Sequence, residues 1–136
     1  MIVNETVRRY ADSINGDQPN LDLARQVWTT DDKTSFIHPP GHERGWNAIE
    51  RNFYRATMGE LLTDRKLVPY DIGVRELGDV ALVEFYWRFD AKFRQDGTLL
   101  HREGRETQVL MRTDGTWRIV HVHYSGMPVT EEGQGF

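Results

Sequence analysis

The sequence contains no cysteine, so disulfides, thiolate metal sites and cysteine nucleophiles are excluded together. No apolar stretch is long enough to span a bilayer, so no membrane partner is expected. The opening residues, Met1-Ile2-Val3-Asn4-Glu5, show no basic segment followed by an apolar run. No signal peptide is therefore expected, and a cytoplasmic location is the default. Positive charge is in deficit: the net charge is -4 and no basic cluster interrupts the mixed charges. Phosphate binding wants a basic face, so nucleic acid is not an expected partner. Internal repeats and low-complexity segments are also missing. What remains is a chain of 136 residues, 38% hydrophobic and 28% charged, which fits one domain with one core and is too apolar for disorder.

Val3, Val7, Tyr10 and Ile14 recur at helical spacing and predict a first helix, which Gly16 can stop. Asp17-Gln18-Pro19-Asn20 reads as a turn. Leu21, Leu23, Ala24 and Val27, with Trp28 at the end, predict a second short helix. Ser35-Phe36-Ile37-His38 reads as a short strand ended by Pro39-Pro40-Gly41. Trp46, Ile49, Phe53 and Ala56 share one stripe of a third helix, from Trp46 to about Leu62. From Lys66 the apolar period changes to two, and Gly78-Asp79, Asp96-Gly97 and Asp114-Gly115 mark the turns of a four-stranded antiparallel meander. Helices first and strands later argue an α+β domain with the helices packed on one face of the sheet. Residues 129–136 are polar and Gly-rich and read as a flexible tail after a single domain at 1–128.

The strand from Val80 has two apolar faces. Ala81, Val83, Phe85, Trp87 and Phe89 share one, and Val80, Leu82, Glu84, Tyr86 and Arg88 the other. The helices suffice to cover one face only. An exposed row of Phe85, Trp87 and Phe89 would be a large sticky patch. A homo-oligomer, at least a dimer, is therefore expected through that row. Glu84, Tyr86 and Arg88 would then look toward the helices, where polar groups must be paired or line a wet cavity.

Glu106-Thr107, Asp114-Gly115, Trp117, then Val120-His121-Val122-His123 with Ser125-Gly126 and Pro128, stand in one order at close spacing. With Tyr86 and Arg88 in the preceding strand, and Phe36, Pro39, Gly41 and Gly45 upstream, this pattern resembles the association domain of calcium/calmodulin-dependent protein kinase II. That domain is part of the nuclear transport factor 2-like (SnoaL-like) superfamily, with a cystatin-like α+β roll. The resemblance implies a cone-shaped, curved antiparallel sheet packed on three N-terminal helices, enclosing a pocket, with self-association through the outer sheet surface. It also implies a pocket lined by arginines that suit anions. Arg88 matches one of them, while Gln108 and Tyr124 stand at two others and Ile49 where the family has a pocket histidine. The chain carries no kinase domain and resembles stand-alone bacterial relatives, for which a homodimer is expected rather than a large ring.

Several groups of residues could carry chemistry. Arg88 with Glu84 and Glu106 could bind a carboxylate or enolate oxygen while a glutamate takes a proton, or could form a buried ion pair. Tyr86 or Tyr124 could donate to a developing oxyanion, as a phenol does in ketosteroid isomerase, which shares the fold. Asp90 is the nearest counterpart of that enzyme's aspartate base. Trp28, Trp46 and Phe53 are pocket walls or plain core. His38 is a ligand contact or acid/base group near the pocket mouth, or a strand-end surface residue. His121 and His123, two residues apart, could reach one metal ion, but no carboxylate lies beside them on that strand face, and they are expected outward at the oligomer interface with no metal. The site expectation is thus Glu84, Glu106, Tyr86 and Tyr124 for catalysis, with Arg88, Gln108, Trp28, His38 and Phe53 as further ligand contacts. The expected function is a homo-oligomeric small-molecule-binding protein with a semi-polar pocket and no cofactor. A cofactor-free isomerase, cyclase or hydratase, and a plain oligomerisation module, are the alternatives.

Overall fold

A computed structural model describes residues 2–131 and 133. Helix α1 (Val3–Ile14) buries the stripe Val3, Val7, Tyr10 and Ile14. It stops at Asn15, and Gly16 follows at φ +98°, a conformation that favours glycine. Helix α2 (Leu21–Val27) is capped by the Asn20 side chain, which accepts from the Leu23 N–H at 3.0 Å. Strands β1 (Ser35–His38) and β2 (Gly41–Arg44) form a hairpin around Pro39-Pro40. Helix α3 (Trp46–Ala48) runs straight into a π-helix at Ile49–Leu61, in which the Thr57 hydroxyl donates to the Asn52 carbonyl at 2.9 Å. Strands β3 (Leu62–Leu77), β4 (Val80–Phe93), β5 (Leu99–Thr113) and β6 (Thr116–Gly126) follow.

The six strands make one curved, unclosed sheet in the order β2-β1-β6-β5-β4-β3. β1 runs parallel to β6, and every other neighbouring pair is antiparallel. The α+β arrangement agrees with the sequence reading, with β2 as an addition. Two dipeptide prolines signalled an end to pairing there, whereas they form the loop of a hairpin. The expected tail at 129–136 falls partly on residues 132 and 134–136, which lie outside the described residues.

The facing of β4 is the reverse of the expectation. Phe85, Trp87 and Phe89, with Ala81 and Val83, are buried beneath the helices. Glu84 and Arg88 are exposed on the outer surface, and Tyr86 is half-buried there. Burying three large rings gains far more than enclosing two charges, whose desolvation costs several kcal/mol each. Outside, the charges need no enclosure. Glu84 pairs with Arg75 at 3.1 Å, and the Arg88 guanidinium lies 4.5 Å from the centre of the Tyr70 ring. The row Phe85-Trp87-Phe89 is thus core and cannot be an oligomer interface. The Trp87 indole lies against Gly104, where any β-carbon would overlap it and the Ser125 carbonyl.

One buried cation has no counterpart in the sequence reading. Arg65 is 2% exposed and donates to the carbonyls of Ile14, Asp17, Met58 and Leu62. Ile14 ends α1, Met58 and Leu62 belong to the last turn and cap of the π-helix, and Asp17 lies in the turn after α1, so one guanidinium ties two helix termini together.

Candidate ligand pocket

Between the inner face of the sheet and the helices lies a cavity of about 300 Å³. Its walls are mainly apolar. Ile14 comes from α1, Phe53 and Met58 from the π-helix, Leu62 and Leu67 from β3, Trp87 and Phe89 from β4, and Leu100 from β5. Pro39 and Pro40 line it from the β1–β2 turn, and the exposed residues Arg102 and Glu103 also face it. Its interior polar groups are Tyr10, Thr57, Glu106 and Tyr124.

Strand register sets the polar pair. Glu106 stands opposite Phe85 on β4 and opposite Tyr124 on β6, so all three share the inner face. Glu106 is 5% exposed, and Gln108, two residues along on the same face, donates from Nε2 to Glu106 Oε2 at 2.7 Å. Burial pushes the Glu106 carboxyl up to about 8, against which the Gln108 hydrogen bond acts only in part. Burial and the nearby Glu106 also raise the Tyr124 phenol, and the same two causes come first for Tyr10. Tyr124 is held edge-on by Trp87 at 5.4 Å and by Phe36 at 5.7 Å. Among the described residues, Gln108 Oε1, Trp87 Nε1 and Arg65 Nη2 are buried without a hydrogen-bond partner.

The structure therefore splits the expected site. Glu106, Gln108, Tyr124 and Phe53 face inward; Glu106, Tyr124 and Phe53 line the cavity, with Gln108 behind Glu106. Glu84, Tyr86 and Arg88 are on the opposite surface, so they cannot join Glu106, and the suggested set of Arg88 with two glutamates does not exist. Asp90 is also outside, paired with His101 at 2.7 Å. Trp28 is fully buried in the core, donating to the Tyr54 hydroxyl at 3.0 Å, and does not line the cavity. His38 is buried beside Phe53 and Tyr124. His121 and His123 point outward, as alternation from Tyr124 implied; His121 Nδ1 is 2.7 Å from Ser35 Oγ. Tyr10, Met58, Leu67 and Trp87 were missed as cavity residues. The helical stripe that named Tyr10 as core could have flagged it, since a phenol on an inward face needs a polar surrounding.

The opposite, outer surface carries a second and more polar depression of about 570 Å³, with Glu84, Tyr86, Arg105, Thr107, His123 and Ser125 among its residues. Around it run the apolar side chains Leu77, Val80, Leu82, Val109 and Met111, which register places on the same outer face. No helix of the described residues is long and apolar enough to cross a membrane.

Comparison with known proteins agrees with this architecture. The chain belongs to the SnoaL-like domain family, whose model matches residues 3–130. It is similar to a nuclear transport factor 2 (NTF2-like) superfamily protein from Salmonella enterica serovar Typhimurium, at 42% identity over 98% of this chain and 94% of that one, with a TM-score of 0.93. The fold is also that of a hexachlorocyclohexane dehydrochlorinase of type 2 (12% identity, TM-score 0.76, covering 98% of this chain and 89% of that one). The association domain of the Caenorhabditis elegans kinase matches at 18% identity and a TM-score of 0.63, covering 90% and 89%. No curated protein matches the sequence.

Proposed function

We propose that this chain binds a small, uncharged and mainly apolar molecule in the inner cavity, with the Glu106 carboxyl donating a hydrogen bond to an oxygen of that ligand. The carrying observation is a glutamate, raised to about 8 by burial, on the wall of an otherwise apolar hollow. At neutral pH such a carboxyl is mostly protonated. Gln108 donates to Oε2, which leaves the hydroxyl of the other oxygen as a donor. Apolar walls with a few convergent polar groups are the usual form of a ligand site. The several inward arginines implied by the kinase resemblance are not supported: Arg88 is outside, and Arg102, which faces the cavity, is exposed and stands beside Glu103.

Thermal-shift screening tests this. Neutral cyclic ketones and lactones are expected to raise the melting temperature, and a ligand at a hundred times its dissociation constant adds about 2.7 kcal/mol. Carboxylic acids of matching shape are expected to shift it less, and Glu106→Leu to lose the ketone response. Equal shifts in Glu106→Leu, or no shift from any neutral compound, would defeat the reading.

A second reading adds chemistry to the same cavity: cofactor-free proton transfer, with Glu106 as acid and Tyr124 as a second donor to a developing oxyanion. The raised Glu106 favours it, because a group that exchanges protons near neutrality suits general acid–base work. The likeness to a dehydrochlorinase supports the fold's capacity for such steps and no particular substrate.

We also infer that copies of the chain pair through the outer sheet surface. Its row of Leu77, Val80, Leu82, Val109 and Met111, with Tyr70 stacked on Tyr86 at 6.0 Å, supplies the apolar centre, and His121 and His123 lie on the same face.

A further inference from the structure

One glycine of the cavity wall is unexplained by the fold. Two rows of residues cross β4, β5 and β6 on the inner face of the sheet: Phe85, Glu106 and Tyr124, then Trp87, Gly104 and Gly126. The second row lies about 7 Å beyond the first, at the rise of an extended strand. Gly126, Pro39, Pro40 and Arg102 are exposed and line the cavity, so they form its mouth. Gly104 is a glycine by necessity, because the Trp87 indole occupies the place of its β-carbon. Gly126 is not: a β-carbon built on it meets nothing within 4 Å. Its φ also lies outside the left-handed region that favours glycine. A glycine in that place costs β6 conformational entropy and gives it no side chain to pack. Alternation along β6 fixes where a side chain at this position would go. Of the two hollows, Ser125 lines only the outer depression and Gly126 only the inner cavity. β1 pairs with β6 only as far as His123, so no strand of the sheet covers that edge of Gly126.

We propose that Gly126 is a specificity-determining residue of this cavity: its missing side chain keeps the passage from Glu106 to the mouth open and so admits neutral ligands of two fused rings or more. The role rests on the pocket reading above. A ligand whose oxygen meets the Glu106 hydroxyl lays its body across the row of Trp87, Gly104 and Gly126. The indole is its contact at one end of that row, and bare β6 backbone at the other. A single-ring ligand stays beside Glu106 and Tyr124, out of reach of a side chain at position 126. The class of ligand is therefore a neutral carbonyl compound with an extended, fused-ring apolar body, held at its oxygen and reaching toward the mouth.

The test titrates two ketones, cyclohexanone and 2-decalone, which share the carbonyl group and differ by one fused ring. Binding is read by NMR in wild type, Gly126→Ala and Gly126→Leu. Wild type is expected to bind both, and 2-decalone more tightly, because it buries more apolar surface. Gly126→Leu is expected to weaken 2-decalone by about 10-fold or more, as overpacking does, and to leave cyclohexanone nearly unchanged. Gly126→Ala is expected to fall between. Without ligand, Gly126→Ala is expected to melt at or above wild type, since alanine restricts the unfolded chain and meets nothing in the folded one. Unchanged 2-decalone binding in Gly126→Leu overturns the proposal, as does an equal weakening of both ketones. A Gly126→Ala protein that melts well below wild type makes the glycine structural and also overturns it. If wild type binds cyclohexanone and not 2-decalone, the open passage is refuted and the pocket stands. If it binds neither, the pocket reading fails and this role with it.

Discussion

A carboxyl at position 106 costs the fold stability at neutral pH. Below the ordinary glutamate value near 4.5, folded and unfolded chains both hold the proton and the residue is neutral in effect. Between there and about 8 the folded chain keeps a proton that the unfolded chain has released, so stability falls as pH rises through this window. Above about 8 both are ionised and the full loss, on the order of a few kcal/mol, remains. Glu106→Gln keeps the shape without the charge. It is expected to melt higher than wild type at pH 8, with the gap closing toward pH 5 in thermal unfolding. Such a cost, retained in the wall of a cavity, is what a functional group looks like beside a merely structural one. Arg65 is the contrasting case. It is charged and buried, and its Nε and Nη1 donate to backbone carbonyls outside the cavity, so its removal should lower stability and leave the cavity chemistry alone. Arg65→Met is expected to cost about 3 kcal/mol or more in urea unfolding, and Arg65→Lys nearly as much, since an ammonium cannot reach four carbonyls in a fork.

At the scale of elements, β4 and β5 decide where everything faces. Their register sets Phe85 against Glu106 and Trp87 against Gly104. The glycine is needed because the Trp87 indole crosses β5 at that point, and the same indole holds Tyr124 edge-on. Gly104→Ala is therefore expected to destabilise by about 2 kcal/mol, the range of overpacked cores, and to change the tryptophan fluorescence as Trp87 is displaced. This strand pair is also where the sequence was hardest to read. Alternation named the two faces of β4 without error, but periodicity cannot say which of two apolar faces meets the helices. Glu84, Tyr86 and Arg88 looked like a pocket because polar groups within an apolar row suggest one. The register with Glu106, which would have shown that Arg88 and Glu106 point to opposite sides, depends on the turn at Asp96-Gly97 and on residue counts that no single strand contains. Glu106, Gln108 and Tyr124 were legible because they belong to a spaced motif on two neighbouring strands, although a bulge at Val109/Leu110 shifts the register by one from what the Asp-Gly turn alone implies. The π-helix and the β2 strand were not legible: the first needs tertiary packing to hold wide turns, and the second hides behind two prolines.

The whole molecule has one covered face and one bare one. The covered face makes a small core with a hollow in it; the bare face keeps a row of aliphatic side chains flanked by ion pairs. Self-association through that row is expected to show as a dimer mass in light scattering at micromolar concentration. Leu82→Glu with Val109→Glu is expected to reduce it to a monomer with the cavity intact. A wild-type monomer would remove this part of the account and leave the pocket untouched. The central claim joins the two scales: a sheet sealed by helices on its inner side keeps one carboxyl protonated at neutral pH where a ligand can meet it. The most direct test is the ¹³C titration of the Glu106 carboxyl by NMR. A midpoint near 8 that moves further up when a neutral ketone binds is the expected result, and a midpoint near 4.5, indifferent to ligand, would contradict it.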